Sequence, residues 1–461
     1  MDYPYDASAD VLALREETCK RRACLIALSD AITQLDCLLK TEATGYSLEP
    51  LYARIPQSLR GFVELVYDLN NHPSFRLLEP LLYRSRFYDV SMQSLCLSTI
   101  RDDDRPFILS TPRLRGDGGL SLPIPFADPK IDSLFQMKTT PRPAGEIQER
   151  LGLTSEQSQY FETLLTEGPP PPYERYCGTG ARWRYFGHAC VLFETAQHSI
   201  LIDPVLSYTY DSKIARYTYD DLPDHIDCVL ITHNHQDHVL FETLLQIRHK
   251  VGRIIVPRSG GGSLQDPSLR LIFKQCGFSD VIELDELEEF DCGAIRVTGV
   301  PFLGEHCDLD VRSKLAYLLR VNGHSVMFAA DSCNIEPEMY RHVRKTIGDV
   351  DVLFLGMECD GAPVSWLYGP LLTQRLERKM DFSRRLAGSN YAQALAMIDE
   401  FRCKEVYVYA MGQEPWLTHV MSLKYTDESN PIVHSNRLIE TARSRGMVAE
   451  RLFGEKEILI S

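Results

Sequence analysis

Four metal-ligating side chains fall within six positions of this chain: His233, His235, Asp237 and His238. Neutral imidazoles and carboxylates are the natural ligands of divalent transition metals. The four follow an apolar run, Cys228 to Ile231, that reads as a buried strand, so they stand where that strand ends. His233 and His235 are two apart and, in extended backbone, point to one side. Asp237 and His238 are adjacent and diverge from that pair, which leaves them for a second metal. Two ions about 3.5–4 Å apart are the usual arrangement of such sites. A histidine-rich loop that binds nothing is the bland alternative, and the density of ligand types straight after a strand weighs against it.

Thr232 to His238 resembles the T-H-x-H-x-D-H signature of the metallo-β-lactamase superfamily. Tyr185-Phe-Gly-His-Ala-Cys-Val-Leu-Phe-Glu and Leu201-Ile-Asp-Pro204 are similar to that family's opening strands, and Phe328-Ala-Ala-Asp331 to its later strand ending in a bridging aspartate. The resemblance spans about residues 180 to 420 and implies an αββα sandwich. It also implies that Asp203 orients a metal-bound histidine, a partner that ligating imidazoles generally need. By the same resemblance Asp331 bridges the metals. Alone, Asp203 reads equally as a turn aspartate before Pro204, and Asp331 as a helix N-cap before Ser332.

One position departs from the hydrolytic pattern. Where zinc hydrolases of the superfamily usually place a histidine, this chain has Val300-Pro-Phe-Leu-Gly-Glu-His306, so either Glu305 or His306 is the ligand. The spacing from His238 and to Asp331 resembles that of the non-haem diiron β-hydroxylases, the kind known from chloramphenicol biosynthesis, in which a glutamate holds this place. The stretch Tyr368 to Asn390 is similar to that family too, and its members carry a separate domain before the metal-binding one. A carboxylate in place of an imidazole adds hard oxygen donation and negative charge, which favours ferric and higher states over a plain zinc site. The last ligand is read as His419, ten residues beyond the strand Val406 to Tyr409, with His434 as the other histidine further along. His188 is read as supporting the cavity. Glu358 and Asp360, after the strand Val352 to Leu355, are further candidates for the pocket.

The elements that must position these residues change character along the chain. Gly168 to Pro172 reads GPPPP, an extended linker incompatible with helix or central strand. It divides an N-terminal α+β domain, residues 1–167, from a catalytic domain, residues 173–461. Upstream, Leu12 to Leu38 has helix-like spacing, and Leu59 to Leu69 reads as a second helix stopped by Asn70-Asn71. Ser94 to Ile100 and Phe107 to Ser110 read as strands, and another helix follows Ser155. Downstream, short apolar runs recur between turns (Ala189 to Phe193, Ile200 to Ile202, Arg253 to Val256, Val281 to Leu284, Ile295 to Val300, Leu315 to Val321, Val326 to Ala329). Helical stretches Leu240 to Gln246 and Tyr391 to Phe401 fall among them, as expected of two packed sheets with helices outside. The fold class expected is therefore α/β: an αββα sandwich with a separate α+β N-terminal domain.

The 461 residues carry 44% apolar and 25% charged side chains, the composition of a folded soluble protein too long for one core. A net charge of −15 disfavours nucleic acid and anionic membrane as general partners. Met1 to Val11 is acidic without an apolar segment, and no long apolar run occurs, so neither signal peptide nor membrane span is expected. The 13 cysteines are scattered, as in a reduced cytoplasmic protein. Gly260-Gly-Gly262 lacks the Lys-Ser/Thr of a phosphate loop and reads as a flexible connection. Arg375, Arg378, Lys379, Arg384 and Arg385 form either a solvated helix face or a docking patch for an acidic partner.

The function that the resemblance implies is a diiron monooxygenase in nonribosomal peptide or antibiotic biosynthesis. It would hydroxylate, with dioxygen as co-substrate, the β-carbon of an amino acid held on a peptidyl carrier protein. Two iron ions would be held by His233, His235, Asp237, His238, Glu305, Asp331 and His419, with Glu305 and Asp331 closest to the chemistry. No flavin or nicotinamide motif is present, so an external electron donor is expected, and a homodimer as well. The other enzymatic use of the same motif is a dizinc hydrolase of an ester, amide or phosphoester, and a third reading is a binding module with a degenerate site. If the motif is the metal nucleus, His235→Ala and Asp237→Ala each remove metal and activity together. Retention of two metals by either variant, measured by elemental analysis, would overturn the assignment.

Overall fold

A computed structural model describes residues 7–105, 119–421 and 423–460. The expected strand Phe107–Ser110 lies outside the described residues. Helices Ser8–Arg21 and Ala23–Glu42 take up the helix-like spacing upstream. Ala31, Leu35 and Leu39, four residues apart on one face, are buried against Leu51, Ile55, Leu59, Val63 and Leu65.

The stretch expected as a second helix is instead a short turn, Gln57–Leu59, followed by a hairpin of Val63–Tyr67 and Pro73–Leu77. Its apolar residues alternate, with Val63 and Leu65 buried and Glu64 between them, which is the period of a strand. Asn70-Asn71 makes the turn of that hairpin. The Asp68 carboxylate accepts from the backbone N–H of Asn70 and His72, and Asn71 takes a left-handed φ of 61°.

From residue 119 onward the N-terminal segment has no core of its own. Helices Pro129–Gln136, Ala144–Leu151 and Ser155–Glu162 bury Ile131, Leu134, Ile147, Leu151 and Phe161 in one continuous cluster with Leu244, Ile247, Leu269 and Phe273 of the catalytic part. Arg248, buried at this junction, binds both carboxylate oxygens of Asp132 at 2.8 and 3.0 Å and the Asp128 carbonyl at 2.9 Å. Gly262 accepts a hydrogen bond from the Leu77 N–H at 2.8 Å, so the glycine run is a docking edge for the hairpin rather than a free connection.

The catalytic part is two seven-stranded sheets packed face to face with helices outside. The first runs, in spatial order, Val281–Leu284, Val251–Pro257, Ile226–Leu230, Ser199–Ile202, Cys190–Glu194, Ala181–Gly187 and Lys456–Ile460. The second runs Glu289–Cys292, Ile295–Val300, Ala316–Val321, His324–Phe328, Val352–Gly356, Glu405–Tyr409 and Val448–Arg451. In each sheet one half is antiparallel and the other parallel. Strands Ile226–Leu230, His324–Phe328 and Val352–Gly356 belong to the parallel halves, and the loops that leave their C-terminal ends carry His233, Asp331 and Glu358.

Aromatic side chains fill the space between the sheets. Trp183 meets Phe354 and Tyr407 edge-on at 5.0 and 4.8 Å between ring centroids, and Phe354 stacks on Phe328 at 4.6 Å. Among the described residues no helix is long and apolar enough to cross a membrane. Phe354→Ala is expected to cost about 3–5 kcal/mol, the usual penalty for emptying a buried phenylalanine site. Chemical denaturation followed by near-UV circular dichroism reads it, and a loss below about 1 kcal/mol would contradict the sheet-to-sheet placement.

Candidate metal centre

The loop that follows Ile226–Leu230 is clamped before its first histidine. Asp203, at the end of the neighbouring strand, accepts from the Thr232 N–H at 2.8 Å and the Thr232 hydroxyl at 2.6 Å. Tyr317 of the opposite sheet donates to the Ile231 carbonyl at 2.8 Å. So fixed, His233 Nε2 and His235 Nδ1 stand 3.1 Å apart and face one point. Glu305 Oε1 lies 3.4 Å from His235 Nδ1. On the other side, Asp237 Oδ2 is 3.8 Å from His238 Nε2. Asp331 belongs to both groups: its Oδ2 is 3.0 Å from His238 Nε2 and 3.7 Å from His233 Nε2.

The remaining ring nitrogens are occupied by orienting partners. His238 Nδ1 donates to Asp203 at 2.8 Å. His235 Nε2 meets the Tyr368 hydroxyl at 3.0 Å. His188 Nδ1 accepts from the Gly412 N–H at 3.2 Å, which leaves the proton on Nε2 to be donated to Asp237 at 3.1 Å. His188 therefore holds a ligand. Tyr368 has no signature in spacing, and only the resemblance of its surroundings pointed to it. Tyr425, whose buried hydroxyl has no hydrogen-bond partner, was likewise silent in the sequence.

Two close approaches depend on glycine. A Cβ on Gly304 (φ +79°) would stand 2.5 Å from Cys333 Cβ, so only glycine lets the Glu305 loop lie against the segment after Asp331. A Cβ on Gly356 would stand 2.6 Å from Asp331 Oδ1.

His306 donates from Nδ1 to the Gly304 carbonyl at 3.3 Å, and its buried Nε2 has no partner; its ring is 4.5 Å from that of His235. Both Glu305 and His306 thus border the centre, and the carboxylate is the one aligned with His235 Nδ1. Glu358, after the strand Val352–Gly356, is coupled electrostatically to this centre: burial first, then Asp331, Glu358 and Asp237, raises Glu305. Asp360 does not join: it pairs with Arg385 at 3.2 Å and with Asn430.

His419 is not brought to the centre. It is buried, its Nδ1 donating to the Trp416 carbonyl at 2.9 Å and its Nε2 standing 3.1 Å from an Arg105 guanidinium nitrogen. After Glu405–Tyr409 the chain turns at Ala410 to Gly412 around His188, and the following helix carries His419 toward the N-terminal segment instead. His434 accepts from the Tyr391 N–H at 3.3 Å at the start of an outer helix.

Asp237, Glu305 and Asp331 surround the histidines, and among the described residues no lysine or arginine forms an ion pair with them; the Lys314 ammonium, 3.4 Å from the Gly304 carbonyl, feels the Glu305 charge from beside the loop. Asp331 Oδ1 is buried without a partner. Such a donor set of carboxylates and imidazoles fits a pair of divalent cations. The protonation states agree. Burial, then Asp331, Glu358 and Asp237, pushes Glu305 well above the usual carboxylate range, and burial with Asp331 and Asp237 does the same to Glu358. Burial alone would lower His238, yet Asp331, Asp203 and Asp237 hold it well above the usual histidine value. Burial pushes His235 down to about 4.

Glu305, Glu358 and His238 are all shifted toward their protonated forms, so protons and metal compete for the same side chains. Affinity for a divalent ion rises with pH by about tenfold or more per unit near neutrality. Calorimetry in buffers of different ionisation enthalpy counts the protons released, and a count of zero refutes this charge arrangement.

The same architecture occurs in known proteins. A sequence profile of the diiron non-heme β-hydroxylase N-terminal domain matches residues 1–169, and one of the β-lactamase superfamily domain matches residues 198–364. The chain is 44% identical over 447 residues to the 4-amino-L-phenylalanyl-[CmlP-peptidyl-carrier-protein] 3-hydroxylase of Streptomyces venezuelae, covering 95% of this chain and 83% of that protein. The crystal structure of CmlA, a diiron β-hydroxylase from Streptomyces venezuelae, superposes with a TM-score of 0.90 at 41% identity, covering 99% of this chain and 86% of that one. A point mutant of CmlA superposes with a TM-score of 0.88 at 40% identity, covering 99% and 87%. With that identity spread along nearly its whole length, the chain belongs to the diiron non-heme β-hydroxylases, built on a metallo-β-lactamase fold.

Proposed function

We propose that this protein hydroxylates, with dioxygen as co-substrate, the β-carbon of an amino acid carried as a thioester on a peptidyl carrier domain. The observation that carries the reading is the donor set shared through Asp331, with a glutamate at position 305. His233, His235 and Glu305 would hold one iron, Asp237, His238 and Glu358 the other, and Asp331 would contact both. When bound, the irons supply the redox chemistry that an unactivated C–H bond requires and that zinc does not offer.

The protein's own residues prepare the place. Asp203, Tyr368 and His188 fix the orientation of His238, His235 and Asp237, so the donors need little rearrangement on loading. Phe302, packed 5.4 Å from the His233 ring, walls the site with apolar surface and excludes water. The unpartnered Tyr425 hydroxyl is a spare donor beside the acidic cluster.

Carrier delivery is supported by the relative in Streptomyces venezuelae, whose substrate is carrier-bound. Electrons come from an external donor, and the protein works in the cytoplasm. The N-terminal segment serves dimer formation or adds a contact of its own to the carrier, and the mass of the full chain in solution tests the first.

The deciding experiment compares Glu305→Ala with His306→Ala. The first is expected to lose one metal and the visible absorption of the iron centre, together with turnover, while the second keeps two metals. The reverse outcome would move the ligand to His306 and return the site to a hydrolytic zinc pattern.

A further inference from the structure

One surface outside the metal centre gathers the basic side chains Arg375, Arg378 and Lys379, with Glu377 among them, in a chain that is acidic as a whole. Helix Val364–Tyr368 has two faces. Inward, Val364 and Tyr368 are buried and Tyr368 meets His235; outward, Trp366 is 58% exposed. Helix Arg378–Ser383 lies across it, joined by Asp381, which accepts from the N–H and hydroxyl of Ser365 at 2.9 and 2.7 Å. The flanking backbone bonds Val364 to Arg384 and Leu386 to Ala362. Arg384 then reaches the Cys307 carbonyl at 2.8 Å, two residues from Glu305. The platform is thus tied on one side to His235 and on the other to the Glu305 loop.

Its outer surface combines apolar and basic groups. Leu371, Met380 and Phe382, on the turn and the helix joined to that of Trp366, are exposed as well, and Arg378 lies over the Phe382 ring at 5.4 Å. Arg375, Arg378 and Lys379 are exposed, and among the described residues none has an acidic partner. Arg384 and Arg385, by contrast, are engaged in holding the platform, through Cys307 and through Gly361 and Asp360. In a chain of net charge −15, free cations gathered around aromatic and aliphatic side chains mark a surface for binding rather than for solubility.

We propose that this platform, centred on Trp366, Met380 and Phe382 and ringed by Arg375, Arg378 and Lys379, is the docking face for an acidic carrier domain. The proposal rests on the carrier-bound substrate argued above and names where the carrier sits. Charge selects the partner: a second copy of this chain would bring a strongly acidic surface but has no need of the metal centre, whereas a carrier must present its thioester within reach of it. Only one short helix separates the platform from His235. The cations steer the encounter and fix its orientation, and the apolar side chains hold the complex.

The test uses the iron-loaded full chain with the 4-amino-L-phenylalanyl-CmlP carrier domain, the substrate form named for the Streptomyces venezuelae relative. In R375E/R378E/K379E, KM for the loaded carrier rises about tenfold or more at low ionic strength, while kcat and iron content stay at wild-type values. Salt raises the wild-type KM and has little effect on the variant's. The variant R375K/R378K, which keeps the charge, restores a near wild-type KM. Equal KM values for wild type and the charge-reversed variant, with the carrier turned over by both, would overturn the docking face and leave the carrier reading intact. A changed mass in solution with unchanged KM would make the platform a contact between copies and equally overturn it. Failure of the wild type to bind or turn over the loaded carrier would remove the carrier reading and this inference with it.

Discussion

Buried negative charge that outnumbers its nearby side-chain cations is the constraint that organises this molecule. An ionised carboxylate taken out of water costs several kcal/mol unless something answers it. Asp237, Glu305, Asp331 and Glu358 meet at one place, with histidines as their only ion-pair partners among the described residues. The raised Glu305 and Glu358 carry the mark of that cost, and two divalent cations would answer it. The surrounding contacts serve that exchange. Asp203 and Tyr368 take the ring nitrogens that would otherwise compete for the same carboxylates, so each imidazole offers its other nitrogen to the centre.

The sandwich delivers these groups because the parallel halves of its two sheets end at one edge. Ligands from four separated stretches arrive on loops leaving the strands, and the backbone there is held in conformations that L-residues seldom adopt. His188, Asp203, Glu305 and Ala330 all have positive φ, between 40° and 64°. Each such residue costs about 1–3 kcal/mol, a local strain that the packed aromatic interior between the sheets offsets. Precise loops at a metal centre thus require a rigid interior beneath them.

How legible this was from the sequence depended on how local each signal is. The run His233 to His238 sits on one loop, so its spacing alone carried the chemistry. The strands Val281–Leu284 and Ile295–Val300 and the helix Tyr391–Phe401 fall where their apolar periodicity puts them. Signals that depend on another part of the chain were silent or misleading. Val63 to Tyr67 is apolar enough for a helix, and only its alternation and partner strand make it a hairpin. His419 follows the right strand, but the turn around His188 takes it elsewhere, a fact held in Gly412 and His188 together. Tyr368 lies 133 residues from His235, and no spacing rule joins them. The proline-rich stretch reads as a boundary in the sequence, yet the helices before it share a core with those after it.

The pairing of Lys456–Ile460 with Ala181–Gly187 has a kinetic side. The strand that opens the catalytic part acquires its outer neighbour only from a segment far along the chain, 275 residues from Arg182 to Glu457, so that edge of the first sheet stays open while everything between is translated. Pairings so far apart in sequence close slowly, because loop entropy is lost before contacts compensate for it. The helices after residue 119, made early, must likewise wait for Leu244, Leu269 and Phe273 before their apolar faces are covered. Until both events are complete the nascent chain exposes an unpaired strand edge and bare apolar helices, the surfaces on which aggregation begins.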